Sequence, residues 1–494
     1  MLKSDLTTIS DKWFYFFLLM HVLVWTLVPL CVRYNLPMDS LEGATWGQQL
    51  EWGYDKNPYL NAWLTALAVN LGAHTGGLIY LFSELSVAAC FWATWRLAKR
   101  LLNPMYALMA VMFLELIQYY NLHAIDFNDN TLELSLWALT IWFFYGALRD
   151  KKTSCWLLTG LFAGLGMMAK YYTAILLAPL FCFLLSRKEN RAAFKEPSLY
   201  LGLGIFVLII LPHLIWLFHH DFVTLDYALY RVSAKPSWFN HLYFPAQFTW
   251  QQWVTLFPAL VLFAFAFIGR KPIASQTRLR LASFDLAFLF WAGVGPFILT
   301  IMISCVAGLR LRAGWGVPLM TTWGILLFAW LQPRMTLGRF YRYSAVCYIT
   351  FAAIATSYAV ALIRAPEPSS ANFPGDLIAT TLTQEWHNTY HKPLKFVAGS
   401  RWMAGNIAFY STDHPHVFLN WDTRLSPWID VEKMKKDGAI FVWDMVEEME
   451  KLPKDIIPQY ANLGEMRVMH FTWKRNKTMK PVEVGVAFLP PSDG

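Results

Sequence analysis

Apolar runs near the roughly 20 residues needed to cross a bilayer recur along about three quarters of the chain. A chain of this kind must satisfy its backbone hydrogen bonds inside each segment, which leaves helices as its building block. The composition agrees. Hydrophobic residues make up 56% of the 494 and charged residues only 15%, where a soluble domain carries about 25% charged residues. The pattern predicts a polytopic α-helical membrane protein with spans at 12–32, 77–98, 104–121, 131–149, 155–168, 171–186, 198–217, 252–270, 284–306, 314–332 and 343–363, eleven in all.

Lysine and arginine asymmetry across the short loops sets the orientation. One side holds Arg96, Lys99, Arg100, Arg149, Lys151, Lys152, Arg187, Lys188, Arg191 and Lys195, then Arg270, Lys271, Arg278, Arg280, Arg334, Arg339 and Arg342. The other side carries only Arg33, Lys56, Lys170, Arg231, Lys235, Arg310 and Arg312. With the rich side cytoplasmic, the loops 33–76 and 218–251 face outward, into the periplasm of a Gram-negative bacterium. Both are long, and loops of that length in a compact bundle are usually functional. They contain amphipathic stretches suited to the membrane surface. The first apolar run lacks a small-residue cleavage site and reads as a retained helix.

The net charge of +8 does not point to nucleic acid, because the cations sit in short loops between spans rather than on a basic stripe with interleaved aromatics. The six cysteines fall in or beside apolar segments without a C-x-x-C pair, so neither a disulfide framework nor a thiolate metal site is indicated. The 24 tryptophans and 22 tyrosines suit interfacial belts or a cavity facing sugar or lipid.

After the last span, Arg364-Ala365-Pro366-Glu367-Pro368-Ser369-Ser370 reads as a linker. It divides a membrane domain, 1–364, from a small outward α/β domain, 365–494. A helix is expected near 374–390, and LKFVAG, HVFLNW, GAIFVW and VGVAFL read as strands.

Chemistry concentrates in the outward loops. Asp39 and Glu42, spaced by three, share one face of a helix. A carboxylate there can deprotonate an acceptor hydroxyl or ligate a hard divalent cation; a simple helix N-terminal pair is the alternative. Lys56, in Gly53-Tyr54-Asp55-Lys56-Asn57-Pro58, is suited to phosphoryl oxygens as a point charge or to lipid headgroups. His123, Asp126, Asn128, Asp129 and Asn130 crowd one short outward turn, more than helix capping by Asn130 or Asp129 explains. They predict the polar wall of a pocket. Lys170, Arg310, Arg312, Arg231 and Lys235 lie close to hydrocarbon, where a cation needs a carboxylate or an anion; together they are suited to a phosphate. The adjacent pair His219 and His220 lacks the i,i+4 facing of a helical metal site.

Taken as a set, the early outward loop with Asp39 and Glu42, the Gly-Tyr and Lys-Asn-Pro elements, GLGMMAKYYTAILLAP and LIILPHLIWLFHHDFVTLDYAL resemble the GT-C membrane glycosyltransferases. The likeness covers roughly residues 12–365 and is to the group of the protein O-mannosyltransferases and the lipid A aminoarabinose transferase. In look it lies nearest the bacterial lipopolysaccharide core galacturonosyltransferases. The resemblance implies a GT-C fold, a polyprenyl-phosphate-linked sugar as donor and a glycolipid or glycoprotein acceptor approached from the outer side. It implies Asp39 as catalytic base or acceptor-positioning group and Lys56 as donor-phosphate ligand, with Asp126 loosely in the place of a second acidic residue. The family's adjacent Asp-Glu is here Asp39-Ser40, with Glu42 three residues on, and its Lys-Pro-Pro is Lys56-Asn57-Pro58. In a different class, a lipid or sugar transporter would place its ionisable groups at the bilayer midplane, whereas these lie at the outer ends of spans. A scaffold that merely displays the soluble domain needs far fewer spans.

Overall fold

The computed structural model describes residues 2–268, 281–445, 460 and 462–492. Arg270, Lys271, Arg278 and Arg280, expected on the basic side, lie outside the described residues. The chain is predominantly helical and forms two compact units.

The first unit comprises 1–27, 83–215 and 225–356. Among the described residues, six helices are long and apolar enough to cross a membrane: Asp11–Val32, Gly77–Leu101, Asp129–Asp150, Pro197–His219, Ser283–Ala307 and Leu337–Arg364. A seventh span is the pair Ala313–Met320 and Trp323–Leu331, bent by 53° where one continuous span was expected at 314–332. Pro318 lies inside the first half of that pair and has no N–H to give to a regular helix. The expected spans at 104–121, 155–168 and 171–186 are shorter apolar helices, Pro104–Glu115, Thr153–Ala169 and Tyr171–Ser186. The count of eleven is therefore not met by length.

Three polar side chains tie this unit together where the sequence showed only apolar runs. His21 of helix α1 (Leu2–Val32) lies 2.7 Å from Glu115 through Nδ1 and 3.0 Å from Glu84 through Nε2, all three fully buried. Trp25 donates to the other Glu115 oxygen at 3.1 Å. Ionisable groups at such depth are costly unless they answer one another, and here they do.

The second unit comprises 28–82, 216–224 and 357–494. The first outward loop and the C-terminal segment thus fall within one compact unit. The loop folds into α2 (Met38–Gly47) and α3 (Leu60–Leu71). They pack closely because Gly43 and Gly47 face α3. A Cβ on Gly43 would stand 2.8 Å from Thr65 Oγ1, and one on Gly47 would stand 2.8 Å from the Ala62 carbonyl.

The C-terminal segment is a five-stranded mixed sheet. Its strands are β1 (Phe396–Gly399), β2 (His416–Leu419), β3 (Ala439–Asp444), β4 (Arg467–Phe471) and β5 (Val482–Leu489), in the order β2-β1-β3-β5-β4. β1 is parallel to β2 and β3, and β5 is antiparallel to β3 and β4. All four expected strands form; β4, whose residues are mostly exposed, gave no apolar run to read. Alternation along the strands sends Val397, Val417, Ile440 and Val484 to one face, with the expected helix Gly375–Tyr390. Phe396, Phe418, Phe441 and Leu489 go to the other.

Candidate functional site

The second unit holds a buried cluster of charge. α2 carries Asp39 in its first turn and Glu42 one turn on, so the spacing of three does place both on one helix. Asp39 is half-buried and Glu42 is buried. Lys56 projects from the tight turn closed by the Gly53–Pro58 bridge and by Tyr54 N–H on the Asn57 carbonyl at 3.0 Å. Its Nζ donates to Glu42 Oε2 at 2.6 Å. The other Glu42 oxygen accepts from Arg401, whose second nitrogen donates to Asp55.

Two carboxylates and two cations thus form a closed set, with Glu42 and Asp55 only 5% and 3% exposed. Trp46 lies under both cations, 5.9 Å from Lys56 Nζ and 5.8 Å from the Arg401 guanidinium carbon, each as a cation–π contact. Trp46 stacks in turn on Tyr54 at 5.1 Å, and the Tyr54 carbonyl accepts from Thr224 at 2.6 Å.

Burial pushes the Asp55 carboxyl above its ordinary range, with the Arg401 charge pulling the other way. Burial alone would depress Arg401, but Glu42 and Asp55 outweigh it and hold the guanidinium above its usual value. Glu42 does not suit the divalent-cation role considered from the sequence, because each of its oxygens is taken by a cation of the chain itself. Among the described residues, no group of three or more His, Cys, Asp or Glu has an arrangement able to hold a metal ion.

In the first unit the turn before Asp129–Asp150 behaves partly as expected. Asn128, rather than Asn130 or Asp129, is the N-cap and accepts from Thr131 N–H at 3.1 Å. That leaves Asp129 and Asn130 free to face Lys170, which lies 2.8 Å from Asp129 and also donates to Asn130. Trp315 is 6.0 Å from Lys170 Nζ. Tyr172 hydrogen-bonds Thr300 at 2.6 Å, and Tyr119 donates to the Ala313 carbonyl at 2.8 Å. Glu133, fully buried a turn along the same helix, accepts from Thr173 at 3.3 Å through one oxygen. His123 is exposed and meets Tyr119 edge-on at 5.3 Å. Asp126 is half-buried, its backbone carbonyl accepting from Thr131 at 3.3 Å.

The same unit gathers Arg231, Arg310 and Arg312. The Arg310 N–H donates to the Val232 carbonyl at 3.0 Å, tying the two loops together. Burial, then the neighbouring charges of Arg231 and Arg310, pull Arg312 below its ordinary range. Arg312 Nε is buried without a hydrogen-bond partner. Like charges held this close favour an anion among them.

Arg401, Asp55, Glu133 and the His21–Glu84–Glu115 set were not singled out from the sequence. Asp55 stood inside a quoted motif and the buried acids interrupt apolar runs, which is a signal. Arg401 has none.

The fold is that of the GT-C glycosyltransferases, and six helices among the described residues are long and apolar enough to cross a membrane. It superimposes on ArnT from Cupriavidus metallidurans bound to undecaprenyl phosphate with a TM-score of 0.60, at 14% identity over 96% of this chain and 98% of that one. The apo state of the same protein gives 0.51, again at 14% identity, over 97% and 98%. Residues 56–216 match the family described as dolichyl-phosphate-mannose-protein mannosyltransferase. Among relatives, the lipopolysaccharide core galacturonosyltransferase RgtB of Rhizobium johnstonii is 27% identical over 48% of this chain and 47% of its own. RgtA of the same organism is 26% identical over 38% of each. The matched stretches span about half the length of the first relative and less of the second.

Proposed function

We propose that the chain is an inverting membrane glycosyltransferase that moves a sugar from a polyprenyl-phosphate donor to an envelope glycolipid, on the outer face of the bacterial inner membrane. The observation that carries this is the composition of the first outward loop. That loop puts Asp39, half-buried, in the first turn of α2, one turn from the buried set in which Lys56 and Arg401 answer Glu42 and Asp55, and we assign Asp39 as the base.

In the reaction an acceptor hydroxyl oxygen attacks the anomeric carbon while the bond from that carbon to the phosphate oxygen breaks. The electron pair leaves with the phosphate, which passes from diester to monoester, and the hydroxyl proton goes to Asp39. Fixed cations stabilise the charge that develops on the leaving group. Lys56 is one candidate for this role, and the cluster of Arg231, Arg310 and Arg312 is a separate one. Lys170, like Lys56, has a carboxylate partner, Asp129 in its case. Asp129 and Asn130 hold Lys170 in place, while His123, Asp126 and Asn128 line the turn in front of it.

The bound undecaprenyl phosphate of the ArnT structure supports a polyprenyl donor, and the lipopolysaccharide-directed relatives support a glycolipid acceptor. Transfer to protein hydroxyls is the second reading, favoured by the family match over 56–216. The test is reconstitution of the purified chain with undecaprenyl-phosphate-linked galacturonic acid and lipopolysaccharide core, read by mass spectrometry. A new glycosidic bond on the glycolipid supports the proposal. Movement of the lipid between leaflets with no new bond makes the chain a transporter.

A further inference from the structure

We infer that Arg401 is a positioning residue for sugar transfer, setting how available Lys56 is to the donor phosphate, so that the C-terminal segment is a working part of the site. The inference rests on the function proposed above.

Arg401 stands at the first position of the helix Arg401–Tyr410, whose N-cap Ser400 accepts from Met403 N–H at 3.3 Å. β1 ends at Gly399, immediately before it. The backbone that presents the guanidinium is therefore fixed by a strand end on one side and a capped helix on the other. From there the planar fork reaches two carboxylates at once, a geometry that lysine cannot reproduce in full.

The charge arithmetic gives the role. Glu42 and Asp55 are two buried acids, and Lys56 and Arg401 are two cations beside them. With Arg401 present, the guanidinium bridges Glu42 and Asp55, and Lys56 pairs with the other oxygen of Glu42. Without Arg401, two buried carboxylates face one ammonium. In surroundings of low dielectric the attraction between them rises, Lys56 is drawn into the cluster, and an incoming lipid phosphate must compete with two acids for it. Arg401 also shares the face of Trp46 with Lys56, so its loss frees the ring that sets the lysine's direction.

A merely structural arginine would behave differently when its partner acid is removed as well. Arg401→Ala combined with Asp55→Asn restores neutrality, leaving Glu42 and Lys56 as a simple pair, although it deletes more native contacts than the single substitution.

The experiment measures binding of undecaprenyl phosphate to the full chain in nanodiscs for the native protein, Arg401→Ala, Arg401→Lys and Arg401→Ala/Asp55→Asn. Thermal unfolding of each variant serves as the folding control. Arg401→Ala is expected to weaken binding about tenfold, the scale of one charge-assisted contact. Arg401→Lys and the double variant are expected to recover most of that loss. Native-like binding by folded Arg401→Ala, or a double variant no better than the single, overturns the inference and leaves the proposed function standing. Should Arg401→Ala fail to fold, the comparison of Arg401→Lys with Arg401→Lys/Asp55→Asn decides on the same terms. No binding by the native chain overturns the donor assignment and this inference with it. Native binding without sugar transfer overturns the transferase reading and, with it, a role for Arg401 in transfer.

Discussion

Arg401 and Glu42 lie 359 residues apart in the chain and are bonded side chain to side chain. The contact joins the helix after β1 to α2 of the first outward loop, within one compact unit. The acids of that loop are thereby sorted. Glu42 is bonded to two of the chain's own cations, while Asp39, a turn earlier on the same helix, is half-buried.

Glu42→Gln tests that sorting. Removing one partner of a buried pair costs about 3–5 kcal/mol, so the variant should lose several degrees of thermal stability. Donor affinity should hold or rise, because Lys56 is released from its carboxylate. Thermal unfolding and undecaprenyl phosphate binding, measured together, check this. An unchanged midpoint with activity abolished would make Glu42 a catalytic residue instead.

The buried cluster also fixes a pH dependence. Burial raises the Asp55 carboxyl above its ordinary 3.8, so the folded state takes up a proton more readily than the unfolded chain. The stabilising effect of that proton is complete below 3.8 and is lost as pH rises through the folded-state value. Glu42, Lys56 and Arg401 face Asp55, and only Arg401 and Lys56 oppose the rise. Removing Arg401 should raise the Asp55 value further. The midpoint of Arg401→Ala should climb as pH is lowered from about 8 to 5, more than the native midpoint does, and Asp55→Asn should flatten that slope. Parallel slopes for the native chain and Arg401→Ala would contradict the assignment.

The arginine cluster should behave as an anion site kept at a cost. Arg312→Gln relieves repulsion from Arg231 and Arg310, so the chain without donor should be no less stable, or slightly more so. Donor KM should rise about tenfold and kcat should fall as well, since these cations both bind the phosphate and stabilise the charge that develops on it. Thermal unfolding and steady-state kinetics supply the two readings. Destabilisation with an unchanged KM would return these residues to headgroup anchoring.

Lys170 and Asp129 should behave as a mutual pair. Lys170→Met leaves a carboxylate unanswered beside apolar spans and should lower stability on the order of 3 kcal/mol. Adding Asp129→Asn should recover most of it. A double variant that stays unstable would show that Lys170 serves something other than Asp129.

The membrane class and the main spans were legible because backbone satisfaction in hydrocarbon allows few alternatives and long apolar runs declare themselves. The bent pair at 313–331 read as one span because hydropathy does not sense a proline's missing donor. Glu42 and Lys56 were legible as candidates, but their bond was not, since the turn at Gly53–Pro58 decides it. Arg401 carries no local signal at all. Its place in the cluster comes from a contact across most of the chain, between a loop and a sheet domain that lie on either side of the linker at 364–370 in sequence. His21, Glu84 and Glu115 broke their apolar runs one residue at a time, too thinly to change the hydropathy of any window.

Mass spectrometry of lipopolysaccharide and other envelope glycolipids tests whether sugar is transferred with Asp39 as the base. A deletion strain is compared with the same strain carrying the native chain or Asp39→Asn at matched membrane abundance. The account predicts a sugar missing in the deletion, restored by the native chain and reduced at least about 100-fold in initial transfer rate by Asp39→Asn, the lower range for loss of a general base. Full restoration by Asp39→Asn would contradict the role of Asp39, and an unchanged glycolipid profile in the deletion would contradict the glycolipid acceptor.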